Sequence, residues 1–143
     1  MTTANGPSAV CGVDSSTVAQ VLIVDDNADQ CNALFQLIKL LGHRAWCFNS
    51  AADALKFLDT HSADLMILDV MMPEMDGMEL LGILRRQPQT QALPIIMFSA
   101  ISDPVYQRYA MARGANGFWI KGSFDFRQLE SELKRYLTSG PIQ

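Results

Sequence analysis

The run VAQVLIV, residues 18–24, is apolar at nearly every position and stops at the pair Asp25 and Asp26. A short apolar run without alternation predicts a strand buried on both faces, the pattern of a parallel sheet. The period then changes. Leu34, Leu37, Ile38 and Leu41 fall at i, i+3, i+4 and i+7, the apolar stripe of a helix that Gly42 is placed to stop. Residues 45–48 read as a second short strand. Ala51, Ala54, Leu55 and Leu58 form one helical face that Ser50 can cap.

The alternation continues to the end of the chain. Residues 65–68 predict strand three. Met78, Leu81, Gly82 and Arg85 share a helical face after the PEMDG loop, and Pro88 ends that helix. Residues 94–98 predict a strand entered through a proline, and 103–113 a helix with Pro104 in its first turn and Gly114 as its stop. Residues 118–120 make a fifth strand, and Phe126, Leu129, Leu133, Tyr136 and Leu137 keep helical spacing. Five strand-helix pairs predict an α/β domain, doubly wound, with five parallel strands and helices on both faces. Ligands in such sheets bind beyond the carboxyl ends of the strands. There the sequence collects its unusual polar residues: Asp25 and Asp26 after strand one, Asp69 after three, Ser99 after four and Lys121 after five.

A length of 143 residues suits one domain, expected over 18–138, with tails at 1–17 and 139–143. Apolar residues at 49% and charged ones at 18% fit a globular chain, and 15 acids against 11 bases argue against direct nucleic-acid binding. The first basic residue is Lys39, and no apolar run is long enough to span a bilayer, so the expectation is a cytoplasmic protein without membrane insertion. Cys11, Cys31 and Cys47 lack metal-ligand spacing and read as small apolar or tail residues in a reducing compartment. His43 and His61 read as surface residues, and Met71, Met72, Met75 and Met78 as either loop packing or an adaptable surface.

An Asp-Asp pair after a strand can be a turn and helix cap or half of a metal site. Convergence with Asp69 favours the second reading, because carboxylates about 4 Å apart repel by about 4 kcal/mol per pair at an effective dielectric near 20 and need a compensating cation. Hard oxygen ligands with room for water suit Mg²⁺ or Mn²⁺. A lysine and a hydroxyl aimed at the same place would complete a phosphoryl site, with Asp69 as the nucleophile.

These residues resemble those of response-regulator receiver domains of two-component signalling, single-domain and CheY-like, over about residues 18–137. The shared features are the acidic pair Asp25 and Asp26, Asp69 followed by MPEMDG, Ser99, and Lys121. The resemblance implies a flavodoxin-like sheet of strand order 2-1-3-4-5. It implies that Asp69 accepts phosphate, that Asp26, Asp69 and the backbone carbonyl of Met71 bind Mg²⁺ directly with Asp25 acting through water, and that Lys121 contacts the phosphoryl group. Ser99 would hydrogen-bond that group, and Phe118 would change rotamer with it. Ala100 would leave room for a phosphoryl oxygen. The implied partners are a sensor histidine kinase or histidine phosphotransfer protein, and a downstream protein read by helix four, strand five and helix five.

One stretch departs from the family pattern. Proline usually follows the lysine through a cis bond, whereas Gly122, Ser123 and Phe124 follow Lys121. Without proline a cis bond costs about 3 kcal/mol, which predicts a trans bond or a remodelled loop. The function expected is a stand-alone phosphoacceptor switch, not an enzyme acting on other substrates. Its rivals are an aspartyl-nucleophile Mg²⁺ phosphohydrolase, which would want a second acid where Met71 stands, a nucleotide-binding domain, which would want a glycine-rich loop after strand one, and a degenerate receiver acting as a constitutive binding module.

Overall fold

The computed structural model describes residues 18–122 and 125–138; the expected tails, Cys11, Ser123 and Phe124 lie outside the described residues. Five strands, β1 (Gln20–Val24), β2 (Arg44–Phe48), β3 (Leu65–Asp69), β4 (Ile95–Ser99) and β5 (Gly117–Ile120), alternate with α1 (Ala28–Leu40), α2 (Ala51–Leu58), α3 (Gly77–Arg86), α4 (Pro104–Ala112) and α5 (Phe126–Thr138). All strand pairs are parallel, in the order β2-β1-β3-β4-β5 that the resemblance implies.

Alternate strand residues feed two cores. Leu22, Met66, Leu68, Ile95 and Met97 face α2, α3 and α4, while Val21, Ile23, Ile67, Ile96 and Phe98 face α1 and α5. The three inner strands β1, β3 and β4 are therefore buried on both sides, which is why they lack polar alternation. Truncating one of their fully buried residues, such as Ile67→Ala, would cost about 2–5 kcal/mol.

Local signals end the helices where expected. Asn27 caps α1 through bonds from the N–H groups of Asp29 and Gln30, Ser50 caps α2, and Asp103 caps α4 ahead of Pro104. Gly42 and Gly114 stop α1 and α4 at positive φ, +91° and +109°, a conformation that Cβ-bearing residues avoid. Several boundaries differ from the sequence reading by a residue or two, and those at the site matter most. Asp69 and Ser99 belong to their strands, in register with Phe98 and Ile120, because the parallel ladder carries on through them. Pro94 lies before β4, having no N–H to donate, though its carbonyl accepts from Met66 N–H at 2.9 Å. His43 is no bystander at the surface: it is half-buried, and its Nδ1 accepts the Ala19 N–H at 3.0 Å where the chain enters β1.

Candidate functional site

The carboxyl ends of β1, β3 and β5 place four charged residues together. Carboxylate oxygens of Asp25, Asp26 and Asp69 lie within 4.8 Å of one another. Lys121 reaches in from the end of β5, its Nζ 3.0 Å from Asp25 Oδ2 and 3.4 Å from Asp69 Oδ1. The ammonium also sits 5.3 Å from the centre of the Phe98 ring, which fixes its position further.

Burial is uneven. Asp25 and Asp69 are 1% and 4% exposed, Lys121 is 18% exposed, and Asp26 stands in solvent. Asp25 is held from several sides: its N–H donates to Phe48 O at 3.0 Å, its carbonyl accepts from Asn49 Nδ2 at 2.8 Å, and its Oδ1 accepts the Asn27 N–H at 2.9 Å. Its Oδ2 is buried and meets the Lys121 ammonium. The Asp69 Oδ1 accepts the Met71 N–H at 3.3 Å. Burial and then the charge of Asp25 push the Asp69 carboxyl up to about 7, against the pull of Lys121 in the other direction. Burial alone would lower the Lys121 ammonium, but its bonds to Asp25 and Asp69 and their charges outweigh it and raise it.

One ammonium among three carboxylates leaves net negative charge in a largely buried place. That imbalance fits a hard divalent cation: the donors are all oxygens, and exposed Asp26 leaves a side open to water.

The loop after β3 is built to hold Asp69 still. Gly77 donates its N–H to Val70 O at 2.8 Å, and a Cβ at Gly77 would collide with the backbone carbonyl of Asp69. Asp76 and Glu79 then form a reciprocal capping box that starts α3. Glu74 turns the loop at φ 70°, unusual for a residue with a side chain. The methionines divide: Met78 is buried and Met72 and Met75 pack on the core, whereas Met71 is 60% exposed.

Ser99 is fully buried, and its Oγ accepts the Ile101 N–H at 3.0 Å, while its carbonyl accepts the Lys121 N–H at 2.8 Å. Ala100 next to it is exposed. Phe118, paired in register with Met97, is half-buried against the core on the α4 side, and Trp119 packs on the opposite face with its ring edge-on to Phe98 at 6.5 Å. A groove of about 690 Å³ opens between α4, β5 and α5, lined by Gln107, Met111, Phe118, Arg135 and Tyr136 among others, away from the carboxylates. The bond from Lys121 to Gly122 is trans, and Gly122 takes φ +89°, which the glycine in place of proline permits.

Sequence reading therefore found the charged residues and missed their supports. Asn27 and Gly77 act through their backbone N–H groups and Asn49 through its side-chain amide, and an Asn after an acidic pair or a Gly after a turn has too many ordinary uses to be singled out.

The fold and this acidic edge define a class of protein. The family model of the response regulator receiver domain matches residues 21–134, and the chain belongs to that family. It is similar to the signal receiver domain of a signal transduction histidine kinase from Syntrophus aciditrophicus, 31% identical, with a TM-score of 0.80 over 88% of this chain and 95% of that one. The chemotaxis response regulator CheY4 of Vibrio cholerae is 29% identical, with a TM-score of 0.78 over 84% of this chain and 99% of that one. Among curated proteins, a probable transcriptional regulator ycf27 of Cyanidium caldarium is 36% identical over 117 residues, 82% of this chain. The chain spans 45% of that relative's length.

Proposed function

We propose that the chain accepts a phosphoryl group from the phosphohistidine of a sensor kinase or histidine phosphotransfer protein onto Asp69, and signals through protein contacts that depend on it. The observation that carries this reading is the position of Lys121 Nζ, within 3.4 Å of both Asp25 and Asp69. An ammonium beside a rigid carboxylate in a negatively charged pocket suits transfer of an anionic group more than acid-base catalysis.

In this reading an Asp69 oxygen attacks phosphorus while the bond from phosphorus to the donor imidazole breaks, leaving the electron pair on nitrogen. Lys121 takes up the negative charge on the phosphoryl oxygens. Asp25, Asp26, Asp69 and the Met71 carbonyl would hold Mg²⁺ or Mn²⁺, whose charge, when bound, offsets the repulsion between Asp69 and the incoming phosphate. Ser99, whose Oγ accepts the Ile101 N–H, would donate its hydroxyl proton to the phosphoryl group. Phe118, at the rim of the groove between α4, β5 and α5, would carry the change to that surface, where a downstream protein binds. A bias of about 1–3 kcal/mol between resting and phosphorylated arrangements suffices for a switch.

Among the described residues no helix is long and apolar enough to cross a membrane. The test is incubation with Mg²⁺ and acetyl phosphate, followed by mass analysis. The expected product is one added phosphoryl group, labile to alkali and hydroxylamine, and absent from Asp69→Asn. Equal label on that variant would overturn the reading, and multiple turnover of phosphate esters would indicate a phosphohydrolase instead.

A further inference from the structure

Two of the three cysteines meet between α1 and β2. Cys31, in the first turn of α1, is 2% exposed, and Cys47, on edge strand β2, is half-buried. The Cys47 thiol donates to the Cys31 carbonyl at 3.2 Å, and the Cys31 thiol lies 4.0 Å from the carbonyl of Phe48, the residue after Cys47. The Cys31 thiol in turn points at Ile23 O, 3.9 Å away, and Ile23 is the register partner of Cys47. Both cysteines are free thiols. Neither takes part in the acidic site.

We propose that Cys31 and Cys47 form a dithiol redox site that closes to an intramolecular disulfide when a hydroperoxide reaches it. The difference in exposure sets the order. The Cys47 sulfur attacks the outer oxygen of the hydroperoxide; the oxygen-oxygen bond breaks, an alcohol or water leaves, and Cys47 becomes a sulfenic acid. The Cys31 sulfur then attacks the Cys47 sulfur, the S–S bond forms, the S–O bond breaks, and water leaves with the Cys31 proton. Two thiols lose two electrons, and the hydroperoxide gains them. A dithiol reductant reverses the reaction by exchange.

The disulfide ties the first turn of α1 to β2, one residue from Phe48, whose carbonyl holds the Asp25 N–H. It thus sits directly behind one of the site's carboxylates.

The test uses the full chain carrying Cys11→Ser, so that the remaining thiol outside this pair cannot compete. Hydrogen peroxide is added, free thiols are alkylated, and peptides are mapped by mass spectrometry with and without dithiothreitol. The expected result is a Cys31–Cys47 linked peptide pair that dithiothreitol dissolves, with neither thiol alkylated before reduction. In Cys31→Ser, Cys47 is expected to persist as a sulfenic acid trapped by dimedone, while in Cys47→Ser the Cys31 thiol stays reduced. Full alkylation of both thiols after peroxide, or linkage only between two copies of the chain, overturns the proposal. The peptide map of the Cys11→Ser protein decides the matter even where one of the other two variants fails to fold.

Discussion

Gly77 presses its bare α-carbon against the backbone carbonyl of Asp69, so close that a methyl group there would overlap it. The first turn of α3 thereby clamps the strand end that carries the carboxylate. Gly77→Ala should force the two backbones apart, lowering stability by about 1–3 kcal/mol and slowing label from acetyl phosphate. Gly82→Ala is the control: its new methyl meets only the flexible ends of Arg113 and Arg86, so thermal melting and labelling should both stay near wild type.

Lys121 is the one ammonium that contacts Asp25 and Asp69 among the described residues. In Lys121→Ala the two carboxylates lose it, and the Asp69 carboxyl, which Lys121 pulls down, should titrate at a still higher pH in an NMR titration. Phosphoryl incorporation should fall by about 100-fold or more. Unchanged labelling would show that the ammonium serves only the fold.

Asp26 is the exposed member of the acidic set, so its loss separates metal binding from folding. Asp26→Asn should leave the melting temperature nearly unchanged while weakening Mn²⁺ binding, followed by electron paramagnetic resonance, by about 10- to 100-fold. Equal affinity in variant and wild type would remove Asp26 from the ligand set.

The Asp69 carboxyl is raised from 3.8 to about 7 by burial and the charge of Asp25. A raised acid binds its proton more tightly folded than unfolded. Its contribution to stability is therefore present at acid pH and is lost as pH rises through the window from 3.8 to about 7. In the absence of metal, urea denaturation of wild type should show a decline across that window that Asp69→Asn lacks. Mn²⁺ affinity should rise over the same range as the competing proton leaves.

His43 works in the opposite direction. Burial lowers its pKa from 6.5, against a smaller opposing pull from Asp64, and the neutral ring leaves Nδ1 able to accept the Ala19 N–H. The stability it contributes is present above 6.5 and is lost as pH falls through its folded value. Substituting His43→Gln should flatten that acid-side loss, and an imidazole titrating at or above 6.5 by NMR would contradict the assignment.

Much of this protein is legible along the chain because its determinants are local or periodic. An apolar run without alternation marked β1 as doubly buried, and the acid, hydroxyl and lysine positions fell at strand ends whatever the loops did between them. The rule that parallel sheets open at their carboxyl edge then placed Asp25, Asp69, Ser99 and Lys121 on one side. Other features required chain segments distant in sequence to meet. Nothing local to Gly77 says that it will touch Asp69, nothing near Cys31 says that Cys47 will face it across α1 and β2, and His43 reads as surface until Ala19 arrives at its ring. Pattern determines which face of each element is buried; only the packed sheet decides which backbone atoms come within reach of a given side chain, and burial by that packing is what raises the Asp69 carboxyl.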